Sequence, residues 1–318
     1  MTRAAKPNRP SATSKTAGKH AWAFAPRFRR GAFDWRSEPA IARIKEAMVE
    51  IKAISKKDVL LAAEGAVLFL QKASPALPNI DSSSGAIGSA VTRAIDVLVP
   101  IIAKAPADMP TRRKWLEQLY QAHADDAIPY IESLGNYWGK LCAAPDLAGE
   151  LADRLLDSVD IVWSRSREEY RFFHAATMCL SALLVAGRYE LLLALLNKCL
   201  SPFWSYRQWG VKALVAMGRK TEGLRYAEAS RGLNQPLGQI AEACESILLS
   251  SGLADETYQR YAFDASRRVR TSRSFARSAG STRTRNRKSS WRIWSPARRA
   301  TKGNGSPPPK TPSYTTWR

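Results

Sequence analysis

Catalysis needs side chains of the right type held close together, and this sequence offers few such groups. Of its three histidines, only His123 has acids beside it, Asp125 and Asp126. Such a set could hold a metal ion or move a proton. The three also stand where one helical pattern ends and another begins before Pro129, so capping of free backbone N–H groups explains the aspartates without a site. Glu168 and Glu169 form a carboxylate pair, yet Ser166-x-x-Glu169 is a capping box in which each side chain satisfies a backbone N–H. Gly85 and Gly88 make a lone Gly-x-x-Gly with no strand before it, which reads as a turn rather than a phosphate cradle. There is no P-loop, no Gly-x-Ser-x-Gly elbow and no His-Glu-x-x-His. The chain is therefore expected to be no enzyme, with no cofactor and no metal.

Binding is the better-equipped chemistry. Between Phe172 and Tyr261 one pattern occurs three times: an apolar helix, a joint ending in glycine, and a second helix. The joints are Ala186-Gly187, Met217-Gly218 and Ser251-Gly252, with their glycines 31 and 34 residues apart. That is the period of paired-helix repeats that stack side by side. Eight residues before each glycine stand Cys179, Gly210 and Cys244, small residues where a second helix must come close. Thirteen, ten and six residues before it stand His174, Thr177 and Ser181, then Ser205, Gln208 and Lys212, then Gln239, Glu242 and Ser246. All nine are polar, and this spacing lies on one face of a helix. Each first helix thus carries a hydrophilic stripe that either lines a binding groove or faces water. The rings of Phe203, Trp204, Tyr206 and Trp209 open the second unit and either anchor a partner or fill the joint between units.

These glycines, small residues and the Gly-x-Tyr at Tyr189 resemble the tetratricopeptide repeat family over about 90 of the 318 residues. The resemblance implies a curved helical scaffold whose inner helices bind peptides, and that groove would map to the nine polar positions. Lys212 is the only fixed cation among them, so the carboxylate clamp found in part of that family is not reproduced. Separately, Phe24–Trp35 and Asp81–Gly88 resemble segments of longer bacterial proteins, a likeness that implies no activity.

The net charge of +21 belongs to the ends of the chain. Residues 1–30 carry eight Lys/Arg and 265–318 carry fifteen, neither with an acid, while 31–264 has 26 basic and 28 acidic residues. Nucleic-acid binding argued from charge would rest on the tails, where Trp291 and Trp294 stand among Arg287, Lys288 and Arg292. Residues 265–318 contain no Asp, Glu or Leu, so no apolar face can form and disorder is expected. Two origins stay open for this segment: a functional basic tail, or a shifted reading frame, which translation of the other frames beyond Asp264 would test. Residues 1–36 form a basic arm expected to be largely disordered. Trp22, Phe24, Phe28, Phe33 and Trp35 alternate there with arginines, either to stack on bases or to pack on the first helices. Five rings in fourteen residues favour packing.

Four cysteines without a Cys-x-x-Cys spacing read as reduced core thiols. The longest uncharged run, Phe172–Gly187, is shorter than a membrane span, and no signal-peptide core follows the N-terminus, so a cytoplasmic protein with no membrane partner is expected. Helical periodicity begins at Ser37, a candidate N-cap, and continues through buried-type helices at 59–73 and 85–104. Further helices are expected at about 110–124, 127–143, 146–165 and 167–186. With no period-two segment, the fold class is all-α: an α-solenoid or helical-repeat domain with disordered tails. Residues 37–166 either continue the repeat divergently or form a capping bundle, and 167–264 hold the repeats. The function expected is a protein-interaction scaffold for a peptide or helix, with nucleic-acid binding through the tails as the alternative.

Overall fold

The computed structural model describes residues 20–164, 173, 175–200 and 203–267. The expectations placed on the two tails, on Ser166, Glu168, Glu169 and on His174 lie outside these residues. Among the described residues the fold is all-α, with no strand.

The helices are α1 Ser37–Ser55, α2 Val59–Ala76, α3 Ala86–Lys104, α4 Met109–Ala124, α5 Trp138–Cys142, α6 Pro145–Trp163, α7 Ala176–Val185, α8 Tyr189–Lys198, α9 Trp204–Ala216, α10 Lys220–Glu228, α11 Leu237–Leu249 and α12 Ala254–Arg267. Each helix packs on the next except α3, since α4 packs back on α2, and the odd-numbered helices also pack on one another in sequence, α1 on α3, α3 on α5, and so on to α11. The even-numbered helices form a second layer, joined from α4 onward by ion pairs between neighbours: Arg113–Glu150, Arg188–Asp153, Arg219–Glu190 and Arg260–Glu228. The result is a two-layer stack of helix pairs.

The last three pairs share one joint. Gly187, Gly218 and Gly252 have φ of 73°, 78° and 78°, in the left-handed region that glycine enters without strain. Each glycine N–H donates to a carbonyl three residues back, and the following N–H to one five residues back: Gly187 to Leu184 and Arg188 to Leu183, Gly218 to Val215 and Arg219 to Leu214, Gly252 to Leu249 and Leu253 to Leu248. This paired cap satisfies the last carbonyls of the first helix and turns the chain for the second. In the second pair the small residue eight places before the glycine is also required: a Cβ on Gly210 would lie 2.9 Å from the Tyr226 ring and 3.1 Å from Leu196.

Two local expectations are corrected. Ser37 is the first residue of α1 rather than its cap, and no side-chain cap bond forms there. Residues 127–143 are not one helix but a 3-10 turn, Glu132–Tyr137, followed by the five-residue α5. The Asp126 carboxylate holds the preceding loop out of helix by accepting from Ile131 N at 2.7 Å and from Ser74 Oγ. The described part of the arm, 20–36, packs on the stack, the alternative that its five rings favoured. Trp22, Phe24, Phe28 and Phe33 are buried, Phe24 and Phe28 meet Phe69 of α2 edge-on, and only Trp35 is exposed. A Cβ on Gly65 would fall inside the Trp22 indole, so that glycine makes the seat for the ring.

By length and composition α2 and α3 could each cross a membrane, but many of their residues, among them Phe69, Leu70, Ile95 and Leu98, are buried in the core. One apolar cluster runs from Trp22 to Ala213, and a second, smaller one joins Trp204, Val211, Ile240, Cys244 and Tyr261. The division falls within α9, whose Tyr206 and Trp209 face the first cluster while Trp204 and Val211 face the second.

Candidate functional site

A cleft of about 560 Å³ opens between α9 and α11, beside the second apolar cluster. Gln208 and Lys212 stand on one wall and Gln239, Glu242 and Ser246 on the other, so five of the nine stripe positions converge on one space. The helical period puts Gln208 and Lys212 one turn apart, and Gln239, Glu242 and Ser246 on successive turns. Pro236 at the cap position starts α11, and Gln235 ties that start to α9 by accepting from Trp204 N at 3.0 Å.

Lys212 supplies the cleft's positive charge. Its Nζ lies 4.0 Å from the Trp209 ring centroid and donates to Gln208 Oε1 at 3.4 Å, while Gln208 Nε2 donates to Ser205 O at 3.1 Å. Desolvation lowers the lysine's pKa from its ordinary value, although the residue as a whole is exposed and water still reaches it. Glu242 is half-buried and Glu245 is 6% exposed, and both line the cleft. Glu245 was missed in the stripe because it stands at an otherwise apolar position. A charged residue three places after Glu242 was the available signal.

The other stripe positions lie elsewhere. Ser205 is exposed but outside the cleft lining. Ser181 is buried, its Oγ accepting from Gly139 N at 3.1 Å and donating to Asn136 O at 3.3 Å. Thr177 is half-buried beside Gly135. The stripe of α7 is thus covered by the 3-10 turn and α5, whose Gly139 allows that approach, since a Cβ there would fall on the Ser181 carbonyl. Of the four rings that open α9, Trp204, Tyr206 and Trp209 are buried and Phe203 is 50% exposed, so three fill joints, Tyr206 edge-on to Trp163 at 5.2 Å.

The catalytic candidates are placed structurally. His123 is buried with Nε2 3.4 Å from Glu132 O, Asp125 accepts from Gln121 Nε2 at 3.0 Å, and Asp126 holds the loop described above. Among the described residues no group of three or more His, Cys, Asp or Glu is placed to hold a metal ion. Cys142, Cys179 and Cys244 are buried free thiols and Cys199 is half-buried. Comparison with models of known families, with curated proteins and with solved structures yields no match.

Proposed function

We propose that the chain is a non-enzymatic scaffold that holds a peptide or helix of a protein partner in the cleft between α9 and α11. The observation that supports this is the convergence of Gln208, Lys212, Gln239, Glu242 and Ser246 on one open space beside the buried Trp204. Amide and hydroxyl groups there can pair with a peptide backbone, and Lys212 and Glu242 can set its direction. The tetratricopeptide-like reading of residues 172–261 agrees with this placement, since the cleft lies between first helices of successive pairs. The alternative, nucleic-acid binding through the basic ends, loses support from the arm, because four of its five rings are buried and cannot stack on bases.

The test is capture by the full chain. Lys212→Glu with Ser246→Trp should abolish retention of proteins that the wild-type chain retains, with the melting temperature unchanged, because both residues are exposed. Undiminished capture by that variant would exclude this cleft. Ser181 is not used in the test, since enlarging a buried, hydrogen-bonded serine would damage the fold itself.

A further inference from the structure

Where the stack passes from one helix pair to the next, apolar side chains gather on its surface. Leu200 and Phe203 lie at the joint between α8 and α9, and Leu233 and Leu237 at the joint between α10 and α11. Leu233 is fully exposed, and the other three are between 43% and 50% exposed. The hydrogen bond from Trp204 N to Gln235 holds the two joints side by side, so these residues form one patch. Single exposed leucines are ordinary on a protein surface, whereas a contiguous apolar group marks a place where something binds. The described chain ends beside this patch. The Gly252 joint folds α12 back along α11, and Tyr261 of α12 is buried in the same cluster as Cys244 near the middle of α11. Six further helical residues, about 9 Å, bring Arg267 level with the first turn of α11, where Leu237 stands. Residues 268–318 follow, with no Leu or Met and only seven Val, Ile, Phe, Tyr or Trp. Three of those seven, Trp291, Ile293 and Trp294, fall within four residues that begin twenty-four positions past Arg267. A chain of that length extends to about 80 Å, several times the roughly 10 Å between the axes of neighbouring helices such as α9 and α11.

We infer that residues 291–294 dock in cis on the apolar patch of Leu200, Phe203, Leu233 and Leu237. Two indoles and an isoleucine leave water together with the side chains they cover, and the tether makes their encounter intramolecular. The patch adjoins the α9–α11 cleft at Trp204, which follows Phe203, and at Gln239, two residues after Leu237. The docked segment therefore stands at the entrance of the cleft. Its docking is independent of any ligand within the cleft, because none of the four patch residues lines that space.

The test is hydroxyl-radical footprinting of the full chain, which reads the solvent access of individual side chains. Changing Trp291, Ile293 and Trp294 to Ser should raise labelling of Phe203, Leu233 and Leu237 at least roughly threefold, because a tethered segment keeps even a weak site mostly filled. Labelling of Val49, exposed on α1, should not change. In the reverse direction, Phe203→Ser with Leu237→Ser should raise labelling of Trp291 and Trp294 by a similar factor, and both substituted residues are exposed enough for the fold to be kept. Unchanged labelling of the patch in the tail variant would overturn the inference. Trp291 and Trp294 labelled equally with and without the patch would overturn it too. If Val269→Ser with Phe275→Ser uncovers the patch instead, another part of the tail is the cover and the assignment to 291–294 falls. Protection that fades on dilution, with a dimer mass at high concentration, would mean a segment exchanged between copies, which overturns docking in cis.

Discussion

Arg112 shows how one side chain can join elements that the sequence keeps apart. It is 5% exposed, and its guanidinium donates to Ile102 O at 3.1 Å, Ala105 O at 2.6 Å and Leu141 O at 3.2 Å. These carbonyls close α3 and α5, where a cation also meets the negative end of each helix dipole. Replacing it by Met takes a charged donor from each of the three carbonyls, of which Ile102 O keeps only the Ala105 N–H, a loss of about 3 kcal/mol. Lysine should rescue little, having no planar fork to span three acceptors. Denaturant melts of Arg112→Met and Arg112→Lys check both. Nothing in the sequence marks Arg112, because its role depends on a helix end 29 residues away. The cysteines were legible by contrast, since spacing alone argued for core thiols, and burial pushes Cys142 and Cys179 up to about 12 and Cys244 up to about 11. With folded values raised above the ordinary 9.0, the unfolded chain releases these protons first, so their stabilising effect is complete below pH 9 and is lost as pH rises toward 11–12. Stability measured between pH 7 and 10.5 should hold to about 8.5 and then decline, by at most about 1.4 kcal/mol per thiol per pH unit. A Cys142→Ala/Cys179→Ala protein should show a flatter decline.

Helix pairs were read from their joints more securely than from their polar faces. Gly187, Gly218 and Gly252 stand in one backbone conformation because only glycine enters that region freely at a helix end, and such a requirement is written in the residue itself. A polar stripe carries no mark of what lies opposite it. Thr177 and Ser181 have the same spacing as Gln208 and Lys212, yet the 3-10 turn and α5 cover the first pair and the cleft leaves the second open. Residues 127–131 were misread for the same reason: their loop is fixed by Asp126 reaching Ser74 on a helix 52 residues earlier. The division of the core within α9 was likewise invisible to periodicity, and it has a dynamic consequence. Helices α10–α12 depend on a small cluster of nine buried residues, whereas α1–α8 share the large one. Native-state amide exchange should therefore find α10–α12 opening separately, with protection lower than in α2 and α3 by roughly tenfold or more. Uniform protection through α12 would mean that the division of the core within α9 separates nothing energetically.

For the whole molecule, a stack of helix pairs leaves two open ends, and an uncovered end exposes apolar surface. The described ion pairs between even-numbered helices cannot compensate, because they are exposed and water screens them. Their use is register, as Arg188 and Arg219 follow equivalent glycines and each reaches back to a carboxylate on the preceding even-numbered helix. At the N-terminal end the arm supplies the cover. Trp22 sits over Gly65, Phe24 and Phe28 pack on Phe69, and Glu50 of α1 accepts from Ala23 N at 2.8 Å and Phe24 N at 3.2 Å. Burying four rings at about 2 kcal/mol each is comparable with the whole net stability of an ordinary domain. Deleting residues 1–19 should therefore leave the melting temperature unchanged, whereas deleting 1–36 should lower it by roughly 10 °C or more and promote aggregation through α2. Restoring residues 20–36 with all four buried rings changed to Ala should not recover stability, since the arm acts through its rings rather than its charge. Equal melting of the two deletions would show that the stack closes its own end and that the arm is an accessory to it.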